Sequence, residues 1–366
     1  MTETPGAAAT SGGSPPSRRR LTSYDVARAA GVTQSTVSRC FRNDSAISPA
    51  TRAQVLEMAR RLGYVPNALA RSLITRRSNM VGVIVTRYTL RANPDMIHAI
   101  GEALTAAGKT LLLVTAARDL PASQELDGVL EYPLDGLISC VQLADAEIER
   151  FQARHIALVL YNRRSPTIPV DTVTTNHATA AGVVAAALHE AGHRRFLCVS
   201  GPADAPVSRE RMEGFVDGLA AHGIARPPVI ATDFSYDCGR DAFLAGVRRD
   251  GLPDAVFCAN DQIALGVMDA CRFTLGLAIP GDISVVGFDD VAEASRPSYR
   301  LTTMRQDSVD MARQAVDLLL QRLAAPEQPV MRREIPARIV VRASARLREA
   351  EQGEQGEAGL EETSPA

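Results

Sequence analysis

The 366-residue chain is long enough for two or three folded units at about 100–200 residues each, and with 46% apolar and 22% charged residues, no Trp and 4% aromatics, its cores must be aliphatic. No apolar run approaches the ~18–20 residues needed to cross a bilayer, and none follows Arg18, Arg19 and Arg20, so neither a membrane span nor a signal peptide is expected. The net charge of −2 hides a division: residues 1–77 hold twelve Arg, no Lys and only Glu3, Asp25, Asp44 and Glu57, so a head of +8 precedes a body of −10, which points to a polyanion partner for the head.

Residues 1–20, rich in Ala, Gly, Ser and Pro, bury too little apolar surface to fold and are expected to be a disordered arm; residues 347–366, rich in Glu and Gly, are expected to be a disordered tail. Between 21 and 66 the pattern is helical in three short pieces. Thr22 or Ser23 caps a helix bearing Val26, Ala27 and Ala30, which Gly31 breaks; Thr33 caps a second bearing Val37 and Phe41. Ser48 and Pro49 open a third through Val55, Met58 and Leu62, and Gly63 ends it.

From 78 to 346 the texture changes. Apolar runs of strand length at 81–86, 110–115, 136–141, 156–161, 196–200, 229–232, 255–259 and 283–288 alternate with helical stretches at 95–107, 178–190, 208–222, 238–249 and 261–273. This is the alternation of a doubly wound parallel sheet, repeated around a break near 175. The expected fold is an all-α head plus a two-lobed α/β body. Lobe 1 takes about 78–175 and 304–335, lobe 2 about 176–303 and 336–346, with helix 308–323 on the return path. A ligand cleft then lies between the lobes, at the carboxyl ends of the strands. Cys40, Cys140, Cys198, Cys238, Cys258 and Cys271 are scattered among apolar or small neighbours, as buried, reduced thiols of a cytoplasmic protein would be.

Ala27, Gly31 and Val37 supply what a helix-turn-helix needs: a small residue where the helices touch, Gly where the backbone turns left-handed, and a β-branched plug under the second helix. Thr33, Gln34, Ser35, Thr36, Ser38 and Arg39 then face outward, a donor-rich set suited to the major groove of DNA. A helical hairpin with a merely polar face is the alternative.

The runs YDVARAAGVTQSTVSRCFRND (Tyr24 to Asp44), Ser48 to Arg52, and LGYVPNALARSL (Leu62 to Leu73) closely resemble the lactose-repressor (LacI/GalR) family, and the resemblance extends from 21 to about 346. It implies a helix-turn-helix regulator, most of whose relatives repress, with a periplasmic-binding-protein-like body. By that resemblance Gln34, Ser35 and Arg39 read bases, while Thr22, Tyr24, Thr36, Ser38 and Asn43 mostly orient against phosphates. It also implies a hinge helix at residues 67–77, with Asn67 to Ile74 folding only on operator DNA, Ala70 letting paired hinges approach and Leu73 as the minor-groove wedge. A segment of that length is too short to be a stable helix alone, so its folding must be coupled to a partner and a second copy.

In the body, polar clusters follow the predicted strands: Asn260 and Asp261, Asp289 and Asp290, and Ser208, Arg209 and Arg211 beyond a loop. Asn and Asp with an Arg can hold the vicinal hydroxyls of a sugar, although strand-end Asn and Asp also serve as turn and helix caps. The resemblance assigns the effector to Arg211, Asn260 and Asp289, with Phe234 on its apolar face. Thr86 and Arg87, in a first-strand loop unlike that of many relatives, are expected to join them. Extra Arg at 87, 91, 163 and 164 hints at an anionic effector such as a sugar acid.

His98, His155, His177, His189, His193 and His222 form no HExxH, no phosphate-binding glycine loop is present, and no nucleophile has an attached base. No catalysis, metal or cofactor is expected. The expected partners are a pseudo-palindromic operator, a small effector (sugar or sugar acid) and a second copy of the chain in a homodimer. A solute receptor for transport would need an export signal and no basic head; a regulator answering to a protein, or to no ligand, is the other alternative.

Overall fold

A computed structural model of the chain describes residues 21–41, 45–65, 77–117 and 123–347. The arm 1–20, Asn43, hinge residues 67–76 with Asn67, Ala70 and Leu73, and the tail from 348 lie outside the described residues. The described residues up to 78 and those from 79 onward form two compact units.

In the first unit, Asp25 Oδ2 accepts from both the amide (2.9 Å) and the hydroxyl (2.7 Å) of Thr22, fixing the start of α1 (Ser23–Ala30). Gly31 stops α1 at φ +65°, a left-handed conformation that only Gly adopts freely. Thr33 caps α2 (Gln34–Phe41) by accepting from the Thr36 amide at 3.2 Å. Ser48, accepting from the Thr51 amide at 3.2 Å, caps α3 (Pro49–Leu62), whose first residue is a Pro that has no amide hydrogen to satisfy. The three helices bury Val26, Val37 and Val55 completely, at about 1.5–3 kcal/mol each, with Ala27, Ala30, Cys40 and Ala59 filling the gaps.

The second unit holds two six-stranded sheets. The first comprises β1 (Met80–Thr86), β2 (Thr110–Ala116), β3 (Gly136–Ser139), β4 (Ala157–Tyr161), β5 (Asp171–Thr175) and β11 (Arg332–Ile335), all parallel, in the order β11-β5-β4-β3-β1-β2. The second comprises β6 (Phe196–Ser200), β7 (Val229–Ala231), β8 (Ala255–Cys258), β9 (Ser284–Asp289), β10 (Thr302–Arg305) and β12 (Arg338–Val340), in the order β12-β10-β9-β8-β6-β7; only β12 runs antiparallel. Period-two alternation sorts the side chains: Val81, Val83 and Val85 enter one core with Val159 and Tyr161, while Ile84 enters the opposite one with Leu158 and Leu160.

Between strands run α4 (Arg87–Ala92), α5 (Pro94–Ala106), α6 (Ser123–Asp127), α7 (Asp145–Gln152), α8 (His177–Glu190), α9 (Pro206–Ala220), α10 (Tyr236–Asp250), α11 (Asp261–Asp269) and α12 (Ser308–Ala324). The last seats Met311, Ala315, Leu318 and Leu319 on the first sheet, although β10, which precedes it, belongs to the second. The chain therefore crosses between lobes after β5, after β10 and between β11 and β12. Five of the six thiols are buried, but Cys238, expected inside, is exposed on the first turn of α10, where it faces away from the packed side that carries Phe243.

Candidate functional site

On the head, Val37 is buried on the inner side of α2, and Ser35 and Arg39, four residues apart, are both exposed on one face. Gln34 is half-buried, its Nε2 donating to Ser23 Oγ at 3.2 Å, so the start of α2 is tied to α1. The Thr33 hydroxyl lies 2.8 Å from that of Ser35 and 2.9 Å from that of Thr36. Tyr24 is 67% exposed at the head of α1, and Thr22, Thr36 and Ser38 are half-buried. Exposed donors on a short helix projecting from a basic unit are what a major groove admits.

In the body, the carboxyl ends of β1, β4, β8, β9 and β10 converge on a cavity of about 240 Å³. Its floor is Arg211, on α9, only 4% exposed. The guanidinium donates to Asp289 Oδ1 at 2.9 Å and to the Ala259 carbonyl at 2.6 Å, and lies 3.8 Å over the Phe288 ring. Burial raises the Asp289 pKa above the usual carboxylate value although Arg211 and Gln306 pull it down; Gln306 Nε2 donates to the same Oδ1 at 2.7 Å. A buried pair of this kind orients its groups more than it stabilises the fold.

Asn260 has both roles weighed from the sequence. Its Oδ1 caps α11 by accepting from the Ile263 amide at 2.9 Å, and its Nδ2 donates to the Phe234 carbonyl at 3.2 Å and to the Tyr88 hydroxyl. The Tyr88 hydroxyl donates to the Phe234 carbonyl at 2.9 Å, and the two rings stack at 5.0 Å. Burial, with Asp289 nearby, pushes the Tyr88 hydroxyl well above its ordinary pKa, so it stays a donor. Gly201 makes room for Phe234: a Cβ there would lie 2.0 Å from Cε1 of that ring.

Thr86, Arg211, Phe234, Asn260 and Asp289 are thus brought together, but Arg87 is not. The segment after β1 is helical rather than a loop. Thr86 caps α4 by accepting from the Thr89 amide at 2.9 Å, and the first helical step turns Arg87 into solvent and Tyr88 inward. Asp261 and Asp290 also take other tasks. Asp261 is fully buried and accepts from Thr303 Oγ1 (2.5 Å) and the Val291 amide (2.9 Å), and burial with Asp289 close by raises its pKa well above the usual value. Asp290 pairs with Arg305 and Arg342 at 2.5 and 2.6 Å.

Residues that the sequence reading left out are Tyr88, Tyr161, Asn162 and Gln306. Asn162 Nδ2 donates to Gln306 Oε1 at 2.7 Å, so a chain of bonds runs from β4 through Gln306 to Asp289. The signal for Gln306 was its place one residue beyond a strand, hidden because β10 itself was not read. Among the described residues no group of three or more His, Cys, Asp or Glu is placed to hold a metal, and no helix is long and apolar enough to cross a membrane.

Residues 22–67 match the model of bacterial regulatory proteins of the lacI family, and residues 185–345 that of a periplasmic binding protein-like domain. The chain is 30% identical over 336 residues to the HTH-type transcriptional repressor CytR of Escherichia coli strain K12, covering 89% of this chain and 96% of that protein. It is 29% identical over 340 residues to the ribose operon repressor of the same strain, covering 88% and 99%. A lac repressor dimer bound to operator and the anti-inducer ONPF matches with a TM-score of 0.80 at 27% identity, covering 89% of this chain and 99% of that one. The regulator CelR in complex with cellobiose matches with a TM-score of 0.66 at 29% identity, covering 89% and 100%. A helix-turn-helix unit followed by a two-lobed α/β body, matched in sequence from end to end of such repressors, means that the chain belongs to the LacI family of bacterial DNA-binding regulatory proteins.

Proposed function

We propose that the protein is a homodimeric, non-catalytic transcriptional repressor of the cytoplasm, whose affinity for a pseudo-palindromic operator is set by a small ligand, a sugar or sugar acid, held in the body. The observation that carries this reading is the cavity at the strand ends, where Arg211, Asp289 and Asn260 offer directed hydrogen bonds beside the stacked Tyr88 and Phe234. Hydroxyls of a polyol pair with the first three, and the C–H face of a ring packs on the aromatics. The relatives support it: one is a ribose operon repressor and another carries cellobiose. A ligand that favours one degree of lobe closure shifts the population of states presented to DNA, with residues 67–77 as the coupling segment between the two units.

The test is Asp289→Asn in the full-length protein. Operator affinity is retained, while the change in operator affinity produced by the effector in a sugar and sugar-acid panel disappears; an undiminished response moves the ligand elsewhere. On the head, Arg39→Ala relaxes base preference at one half-site position by about 1–3 kcal/mol in a binding-site selection, and unchanged preference removes Arg39 from the reading set.

A further inference from the structure

We propose that the effector carries an oxoanion, a carboxylate or a phosphate, and that this group occupies a second chamber among Arg163, Arg164, Arg209 and His177. The proposal rests on the sensor reading above and gives it a ligand class. The chamber, of about 420 Å³, shares Asn162, Arg163 and Asp204 with the first cavity, so the two adjoin. Three guanidinium groups line it against the two carboxylates Asp204 and Glu210.

His177 supplies the independent sign of a ligand. It opens α8 and is 2% exposed. Arg211 Nε, which can only donate, faces its Nδ1 at 3.4 Å, so the ring proton sits on Nε2, a buried atom with no partner. A buried donor without an acceptor is costly, and an oxoanion oxygen is the acceptor that this arrangement lacks. Burial, reinforced by Arg211, Arg163 and Arg164, holds the imidazole well below its ordinary pKa, so the ring offers one N–H and no charge.

The rest of the lining agrees. The first turn of α9 faces the chamber through Pro206 and Arg209 and contains no acid, so the positive end of that helix adds to the charge of the chamber. Arg164 is exposed and pairs with Glu334 at 3.3 Å, and a surface pair of this kind is worth so little that its planar fork can be redirected to an oxoanion at small cost. Glu210 is a carboxylate of the same lining, its pKa raised by burial against the pull of Arg164, Arg211, Arg163 and Arg209.

The experiment uses the full-length protein with 15N-labelled histidine, assigned through His177→Asn, and calorimetry against ribose, ribonate and ribose 5-phosphate, the matching glucose series, and inorganic phosphate alone at constant ionic strength. Phosphate is expected to shift the His177 Nε2 resonance to saturation. One acidic member of a series binds about tenfold tighter than its neutral parent, the effect of one charge-assisted hydrogen bond. Both effects disappear in Arg164→Gln/Arg209→Gln, whose substitutions lie on exposed side chains and leave the fold intact. Which acid shows the advantage separates carboxylate from phosphate. A His177 resonance that phosphate leaves unmoved, or an acidic advantage that survives the double substitution, overturns the chamber. Neutral ribose or glucose changing operator affinity with no acidic advantage overturns it and leaves the sensor reading standing, whereas phosphate at His177 without any operator response to the sugars supports the chamber and counts against the sensor.

Discussion

The two lobes face the cavity at the strand ends with unlike walls. Lobe 2 presents side chains anchored within itself: Arg211 by Ala259 and Asp289, Asn260 by the amide of Ile263, and Phe234 by the space over Gly201. Lobe 1 presents Tyr88, whose hydroxyl bonds across to Phe234 and Asn260, and Asn162, whose Oδ1 accepts from the Thr175 amide within lobe 1 while its Nδ2 donates to Gln306 on the crossing segment. The difference teaches how such a cavity can both hold and report. The lobe 2 wall is held mostly by bonds within its own lobe, with Gln306 of the crossing segment also on Asp289, whereas the Tyr88 contacts cross between the lobes and depend on their closure, so a ligand that bridged both walls would bias the state that carries them.

The sharpest way to break this comparison is Arg211→Leu. It leaves Asp289 buried without its cation, and removing one partner of a buried pair costs about 3–5 kcal/mol, read as a fall in the urea unfolding free energy of the body. A loss of under about 1 kcal/mol, the size of a surface pair, would mean that lobe 2 is not built on that contact. Gly201→Val comes next: the new side chain takes the place of the Phe234 ring, and overpacking of this kind costs about 1–3 kcal/mol, with ligand affinity falling alongside. Loss of stability with undiminished affinity would remove Phe234 from the ligand's surroundings.

The lobe 2 wall was also the legible one. Arg211, Asn260 and Asp289 stand beyond apolar runs that read plainly as strands, and strand ends aim polar side chains into the cleft. Two strands, β5 of lobe 1 and β10 of lobe 2, were harder for physical reasons. β5 is DTVTT and β10 is TTMR; their Thr side chains are buried in the sheets, yet in sequence they look like loop residues, and Gln306 went unread with β10. At Arg87 and Tyr88 the reading turned on one step of register. A loop would leave either residue free to face the ligand, but the cap at Thr86 starts a helix, and helical geometry chose Tyr88. The head was legible throughout its described length because caps and turn glycines are local signals: Gly31, Ser48 and Gly63 act where they stand, without a distant partner.

A smaller test separates the lobe 2 wall from what stands behind it. His177 Nδ1 accepts from Arg211, and burial with Arg211, Arg163 and Arg164 around it holds the imidazole neutral, well below its ordinary 6.5. The unfolded chain therefore takes up the proton first as pH falls. The contribution to stability is complete above 6.5 and is lost as the pH drops toward the depressed value, at about 1.4 kcal/mol per pH unit. His177→Asn is expected to flatten the decline of unfolding free energy below pH 6.5 by that slope, and identical slopes would show that the ring protonates freely in the folded state.

The mildest substitution, Tyr88→Phe, tests the lobe 1 wall. It keeps the ring stacked on Phe234 and removes only the hydroxyl, which bonds to the Phe234 carbonyl and to Asn260. One such bond is worth about 0.5–1.5 kcal/mol net. Because both partners belong to the other lobe, the loss falls on closure rather than on the stability of either lobe. The expected result is a radius of gyration by solution scattering that shifts toward the open form, a ligand affinity lower by about three- to tenfold, and a urea midpoint close to that of the wild type. A shifted midpoint with unchanged scattering would instead place Tyr88 in the permanent framework, and the two walls would then differ in composition but not in role.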